Sequence, residues 1–167
     1  MKSKYWIISD PHLGHNAMLE YCGRPEGFED LILGNLVSLI KPEDILICLG
    51  DFCMYRDGYW HDQLINIPCK KWLIRGNHDR KSLGWYLSHG WDFVGDSVQL
   101  NIFGKNILLT HKPINWEVIS WLNLDMNIHG HLHNTGHHPE YHQTPKHRCI
   151  FMEHHYKPID LRKIAEG

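Results

Sequence analysis

Five short β-type runs in this chain each stop at a carboxylate, an imidazole or a carboxamide, and this pattern limits the possible folds more than any other. Tyr5–Ser9 runs into Asp10-Pro11-His12, Ile45–Leu49 into Gly50-Asp51, and Lys71–Ile74 into Arg75-Gly76-Asn77-His78-Asp79. Asn106–Thr110 runs into His111, and Met126–His129 into Gly130-His131-Leu132-His133. Each joins a buried-strand signal to an immediate loop. Between them lie helical patterns. Phe28–Ile40 carries one apolar face and stops at Lys41-Pro42, while Asn16–Cys22, Ser82–His89 and Ile114–Leu122 are shorter. Val98–Phe103 and Asn106–Thr110, joined through Gly104-Lys105, predict a β-hairpin. The expected fold class is α/β, layered, in one domain over residues 1–167 with no linker or repeat. In open α/β sheets, ligands gather outside the carboxyl ends of strands. A single Asp or Asn there is ordinarily a cap or a loop residue; five such strand ends at one edge predict a metal site.

Composition supports this reading. At 167 residues, 43% hydrophobic and 22% charged, the chain can bury a core. A net charge of −2 supplies no overall basic field for nucleic acid. The longest aliphatic run, Ile45–Leu49, is far short of the roughly 18 apolar residues of a spanning helix. Tyr5–Ile8 is too short and too soon interrupted for a signal peptide, so no membrane association and a cytoplasmic location are expected. Five cysteines with no C-x-x-C pair fit a reducing compartment. Histidine stands out: fifteen copies, nine of them between His129 and His155.

The residue types at the strand ends have definite capacities. Alternate residues of an extended segment point the same way, so Asp10 and His12 can chelate one ion. His131 and His133 can do likewise, or divide between neighbouring ions. The two oxygens of Asp51 suit it to bridge two cations, and Asn77 offers a neutral oxygen. Taken in order, the blocks Asp10-x-His12, Gly50-Asp51, Gly76-Asn77-His78-Asp79, His111 and Gly130-His131-x-His133 resemble the calcineurin-like metallophosphoesterase superfamily. Within it the chain is similar to small bacterial and phage members. The residues that carry that likeness are Ser9-Asp10-x-His12-x-x-His15, Arg24-Pro25 and Tyr156-Lys157-Pro158.

The resemblance implies a four-layer αββα sandwich of two mixed β-sheets flanked by helices, with the metal site at the strand C-terminal ends. It implies two divalent transition-metal ions, one held by Asp10, His12, Asp51 and His133, the other by Asp51, Asn77, His111 and His131. It also implies that His78 faces the leaving group without binding metal. Two such ions against two aspartates leave a net positive centre suited to a phosphate ester, and a metal pair acidifies water. The mixed N/O donors suit Mn²⁺, Fe²⁺, Zn²⁺, Ni²⁺ or Co²⁺ over Mg²⁺ or Ca²⁺ without choosing among them, and Mn²⁺ is the favoured expectation.

Several residues have two readings. Asp79 either orients His78 or caps the helix near Ser82. Arg24 either clamps a substrate phosphate or is structural, and His15 either lines the site or caps a turn. His129 either supports a ligand from behind or is simply a strand residue. His137, His138, His142, His147, His154 and His155 are expected on loops or the last strand, with no ligand role. Gly50-Asp51 continues Phe52-Cys53-Met54, without the G-D-x-x-D-R-G run of Ser/Thr phosphoprotein phosphatases. No long insertion covers the site. The expected activity is therefore a phosphodiesterase open to nucleotides or nucleic-acid ends. The alternatives are a phosphomonoesterase, a non-catalytic scaffold and a histidine-rich metal buffer.

Overall fold

In chain order the elements are β1 (Tyr5–Ile8), α1 (Met18–Tyr21), α2 (Phe28–Leu39), β2 (Ile45–Cys48), α3 (Asp57–Asp62), β3 (Lys70–Ile74), α4 (Leu83–Ser88), β4 (Phe93–Gly95), β5 (Ser97–Ile102), β6 (Lys105–Thr110), α5 (Trp116–Trp121), β7 (Met126–His129), β8 (His147–Cys149), β9 (Ile159–Asp160) and α6 (Leu161–Glu166). The computed structural model describes residues 3–135 and 138–167. One sheet has the order β4-β3-β2-β1-β9, parallel except for β9 against β1. The other has the order β5-β6-β7-β8, in which β5 and β6 form the expected hairpin and β6, β7 and β8 run parallel. Phe103 and Gly104 turn that hairpin with φ of 56° and 71°. Two left-handed residues match the right-handed twist of the strands they join.

Side-chain alternation sets the layers. Ile8, Leu46, Cys48 and Leu73 face one way and pack with Phe28, Ile32 and Leu36 of α2. Their neighbours Ile7, Ile47, Leu49 and Ile74 face the other way and meet Ile107, Leu109, Met126 and Ile128 between the sheets. Leu108 points out of the second sheet onto Ile119 and Leu124 beneath α5. The result is helix, sheet, sheet, helix, as expected. Strands covered on both faces read as continuous apolar runs rather than alternating ones. Burial also decides α2, which starts at a left-handed Gly27 with no side-chain cap. Full burial of Phe28, Ile32 and Leu36, each worth about 1.5–3 kcal/mol, outweighs a missing cap worth about 1 kcal/mol.

Helix ends differ from the sequence reading for local reasons. Asn16–Cys22 shrinks to the single turn Met18–Tyr21 before the left-handed Gly23. α4 starts at Leu83 because Ser82 is its cap, accepting a hydrogen bond from Trp85 N at 3.2 Å. α5 starts at Trp116 because the Ile114 amide is tied to Asn127 Oδ1 at 3.1 Å. Beyond the strands, hydrogen bonding continues into the loops. Asp10 N donates to Gly50 O and His12 N to Asp51 O, both at 3.0 Å, and Gly130 N donates to His111 O at 2.9 Å. The loops that carry the polar residues are thus extensions of the sheets.

Candidate metal centre

Asp51 lies at the middle of the site. Its Oδ1 accepts the His78 amide at 2.8 Å, which turns Oδ2 toward His111 Nε2 at 3.4 Å, His12 Nε2 at 3.8 Å and His78 Nε2 at 3.9 Å. On one side, Asp10 Oδ1 lies 3.9 Å from His12 Nε2 and 3.7 Å from His133 Nε2. That oxygen is buried with no hydrogen-bond partner, while Asp10 Oδ2 is used by the Ser9 hydroxyl at 2.6 Å and the His131 amide at 2.8 Å. An unpartnered buried carboxylate oxygen between two imidazoles is what a divalent cation would satisfy.

On the other side, His111 Nδ1 lies 2.8 Å from the Leu49 carbonyl, which can only accept, so this nitrogen carries the proton. Nε2 is left with a bare lone pair facing Asn77 Oδ1 at 3.1 Å, His131 Nδ1 at 3.2 Å and Asp51 Oδ2. Acceptors converging in this way fit a second cation. Donor atoms of Asp10, His12 and His133, and of Asp51, His111 and His131, cluster within 4.8 Å in each group. The structure therefore brings all seven expected ligand residues together at one edge. Asn77 is the exposed member.

Tight backbone geometry achieves this. Asp10, His12, Asp51, His131 and His133 all have left-handed φ, between 48° and 70°. That region costs most L-residues about 1–2 kcal/mol each. A Cβ on Gly130 would overlap Ser9 Oγ and Asp10 Oδ2, and one on Gly76 would overlap Asp51 Oδ1, so both loops need glycine for close approach.

Burial followed by neighbouring positive charge holds His12 well below the usual imidazole range, and burial above all takes His131 down to about 3. Both rings are thus neutral at physiological pH, the form in which an imidazole can hold a metal. Burial raises Asp10 despite the opposing pull of His111 and His133. His133 is different. Burial disfavours its charge, yet hydrogen bonds with Cys22 and Glu153 and the charges of Asp10 and Glu153 lift it to about 10. Burial would raise Glu153, but His133 and Arg24 hold it down at about 2.

Two expectations are corrected. The Arg24 side chain is fully buried: Nε and Nη2 bind Glu153, Nη2 binds Asp10 O at 2.8 Å, and Nη1 binds Pro11 O. Four of its five N–H groups are used in this way, and the buried side chain presents no surface to a substrate phosphate, so the structural alternative applies. Asp79 neither orients the His78 ring nor caps α4. Its Oδ2 accepts from Asp51 N at 2.7 Å and Gly76 N at 2.8 Å, and Oδ1 from Phe52 N at 3.3 Å, pinning two ligand loops together. Burial first, with the Asp51 charge, pushes this carboxyl up to about 6 against those bonds.

The His15 ring lies 5.5 Å from that of His12, tilted by 55°, and lines the cavity rather than capping α1. His129 is the buried last residue of β7, its Nδ1 2.9 Å from Gly130 O. His138 stacks on His131 at 4.4 Å; His137 lies outside the described residues. His147 holds the Thr144 amide and pairs with Ile114 O, while His142, His154 and His155 are exposed. Two working residues went unassigned in the sequence. Glu153 carries no motif. Asn127 braces the His111 loop through Leu108 O and Thr110 Oγ1, and it was detectable as a polar residue between Met126 and Ile128 of β7. His78, 30% exposed at its side chain, stands at the mouth of a cavity of about 420 Å³ shared with His12, His133, Met18, Tyr21 and Cys22.

The calcineurin-like phosphoesterase family model matches residues 3–163. The chain belongs to this family. It is 30% identical to an Aquifex aeolicus protein of unknown function, AQ665, with a TM-score of 0.80 and 99% of each chain covered. An uncharacterized Methanocaldococcus jannaschii protein, MJ1445, is 27% identical over 98% of this chain and 90% of its own length. A structure described as a novel archaeal phosphodiesterase shares the fold at 17% identity, with a TM-score of 0.51 over 89% of this chain and 82% of that one. The family is one of metal-dependent phosphoesterases, whose substrates are phosphate esters. Among the described residues, no helix is long and apolar enough to cross a membrane.

Proposed function

We propose that this chain is a dinuclear metal-dependent phosphodiesterase, with Asp10, His12, Asp51 and His133 around one cation and Asp51, Asn77, His111 and His131 around the other. The observation that carries the reading is the position of Asp51 Oδ2, which faces His12 of one group and His111 of the other. Two divalent transition-metal cations, with Mn²⁺ as the favoured ion, would supply charge to the phosphate oxygens and an acidified water. His78 contributes a proton. Its amide is fixed on Asp51 Oδ1, so the ring is held at the cavity edge, where Nε2–H donates to the leaving oxygen as the P–O bond breaks.

The cavity supports a diester over a monoester. None of the described residues that line it is lysine or arginine, and Arg24 is committed elsewhere, so the extra charge of a monoester has no cationic side chain there. Met18 and Tyr21 instead suit an organic ester group such as a nucleoside, which keeps nucleotides and nucleic-acid ends as the substrate class. Five free cysteines suit the reducing cytoplasm.

The test strips the protein of metal, restores Mn²⁺, and compares bis-p-nitrophenyl phosphate with p-nitrophenyl phosphate for wild type and His78→Ala. Mn²⁺-dependent diester cleavage that falls by about 10²–10⁴ in the variant, with both ions retained, is expected. Preferential monoester cleavage overturns the substrate class. No turnover with any divalent ion, despite two bound per chain, returns the scaffold reading.

A further inference from the structure

We propose that Glu153, clamped by Arg24, is a positioning residue that fixes the His133 ring for one cation of the pair; this rests on the dinuclear reading above. His133 offers Nε2 to Asp10 Oδ1 at 3.7 Å and sets Nδ1 against Glu153 Oε1 at 3.2 Å. A carboxylate accepting the proton of one ring nitrogen fixes the tautomer and makes the other nitrogen a better donor to metal. That same oxygen accepts Arg24 Nε at 2.8 Å and also Nη2, and both side chains are almost wholly buried, so the carboxylate cannot swing away.

The guanidinium also bonds Pro11 O and, at 2.8 Å, Asp10 O. One buried cation therefore ties the loop bearing Asp10 and His12 to the short turn Met152–His154 that carries Glu153. Through Glu153 it reaches the loop bearing His133. The Arg24-Pro25 block of the sequence, left without a substrate role, is accounted for as the brace of this half-site. In the other group, by contrast, the His111 ring leans on a main-chain carbonyl.

Calorimetric titration of the metal-stripped full chain with Mn²⁺ tests the proposal, with circular dichroism as a check on folding. Wild type is expected to take two ions. Glu153→Gln, which keeps an acceptor oxygen but loses the charge, is expected to bind one ion about 10–100-fold more weakly and the other unchanged. Two ions at wild-type affinity in Glu153→Gln, or equal weakening of both, overturns the positioning role while leaving the two-ion reading intact. A wild type that takes one ion or none overturns that reading, and the proposal with it. Should Glu153→Gln fail to fold, nitrogen-15 spectra of Zn²⁺-loaded wild type decide: His133 is expected to carry its proton on Nδ1, and a proton on Nε2 overturns the proposal.

Discussion

On one side of Asp51 the His133 ring rests on Glu153 and, through it, on the buried guanidinium of Arg24; on the other, the His111 ring rests on the Leu49 carbonyl at 2.8 Å. Both arrangements leave a nitrogen aimed at the centre, but they are stabilised differently. A main-chain carbonyl is uncharged, does not titrate and cannot be removed by substitution. An ion pair between residues 24 and 153 spans the chain, raises the basicity of the ring, and makes one half of the centre sensitive to pH and to single mutations. The first half is robust by construction; the second is tunable.

The strongest way to break the comparison is to remove what the halves share. Asp51→Asn is expected to bring bis-p-nitrophenyl phosphate hydrolysis to background and Mn²⁺ content below two per chain by elemental analysis; two retained ions with near-normal turnover would mean Asp51 is not the joint. Arg24→Met strikes the ionic half alone. It strands the buried Glu153 carboxylate, and urea unfolding should show a loss of about 3–5 kcal/mol; a change below about 1 kcal/mol would show that the brace is energetically idle. Gly130→Ala places a methyl against Ser9 and Asp10, with an expected cost of about 1–3 kcal/mol and weaker ion binding on the Asp10 side.

A further effect concerns pH. Glu153 titrates at about 2 in the fold against 4.5 outside it. A lowered carboxylate contributes stability that is present above pH 4.5 and lost as pH falls toward 2. Urea midpoints of the metal-free protein should therefore drop more steeply across that window for wild type than for Glu153→Gln. Parallel curves would deny the charge any part in folding.

The candidate ligands were legible in the sequence because each follows a strand, and strand ends are where an α/β sheet exposes backbone and side chain together. The roles of Arg24 and Asp79 were not. Sequence shows that a charged residue is near the site but not whether it faces solvent or backbone amides, and both turn inward. Glu153 was hidden for a related reason: it sits in a three-residue turn among Met152, His154 and His155, far in sequence from its partners. The strands β4, β8 and β9 have only two or three residues, too few to show alternation, and they are recognisable only from the neighbours they pair with.

The left-handed backbone at Asp10, His12, Asp51, His131 and His133 governs how this centre can be edited. At these positions an alanine scan changes two things at once, since it deletes a donor atom and also puts a residue ill suited to that turn in its place. Asparagine, like the native aspartate and histidine, tolerates the turn better than alanine does. Asp→Asn and His→Asn replacements therefore isolate the chemistry, and the excess loss seen with alanine measures the contribution of the loop's shape.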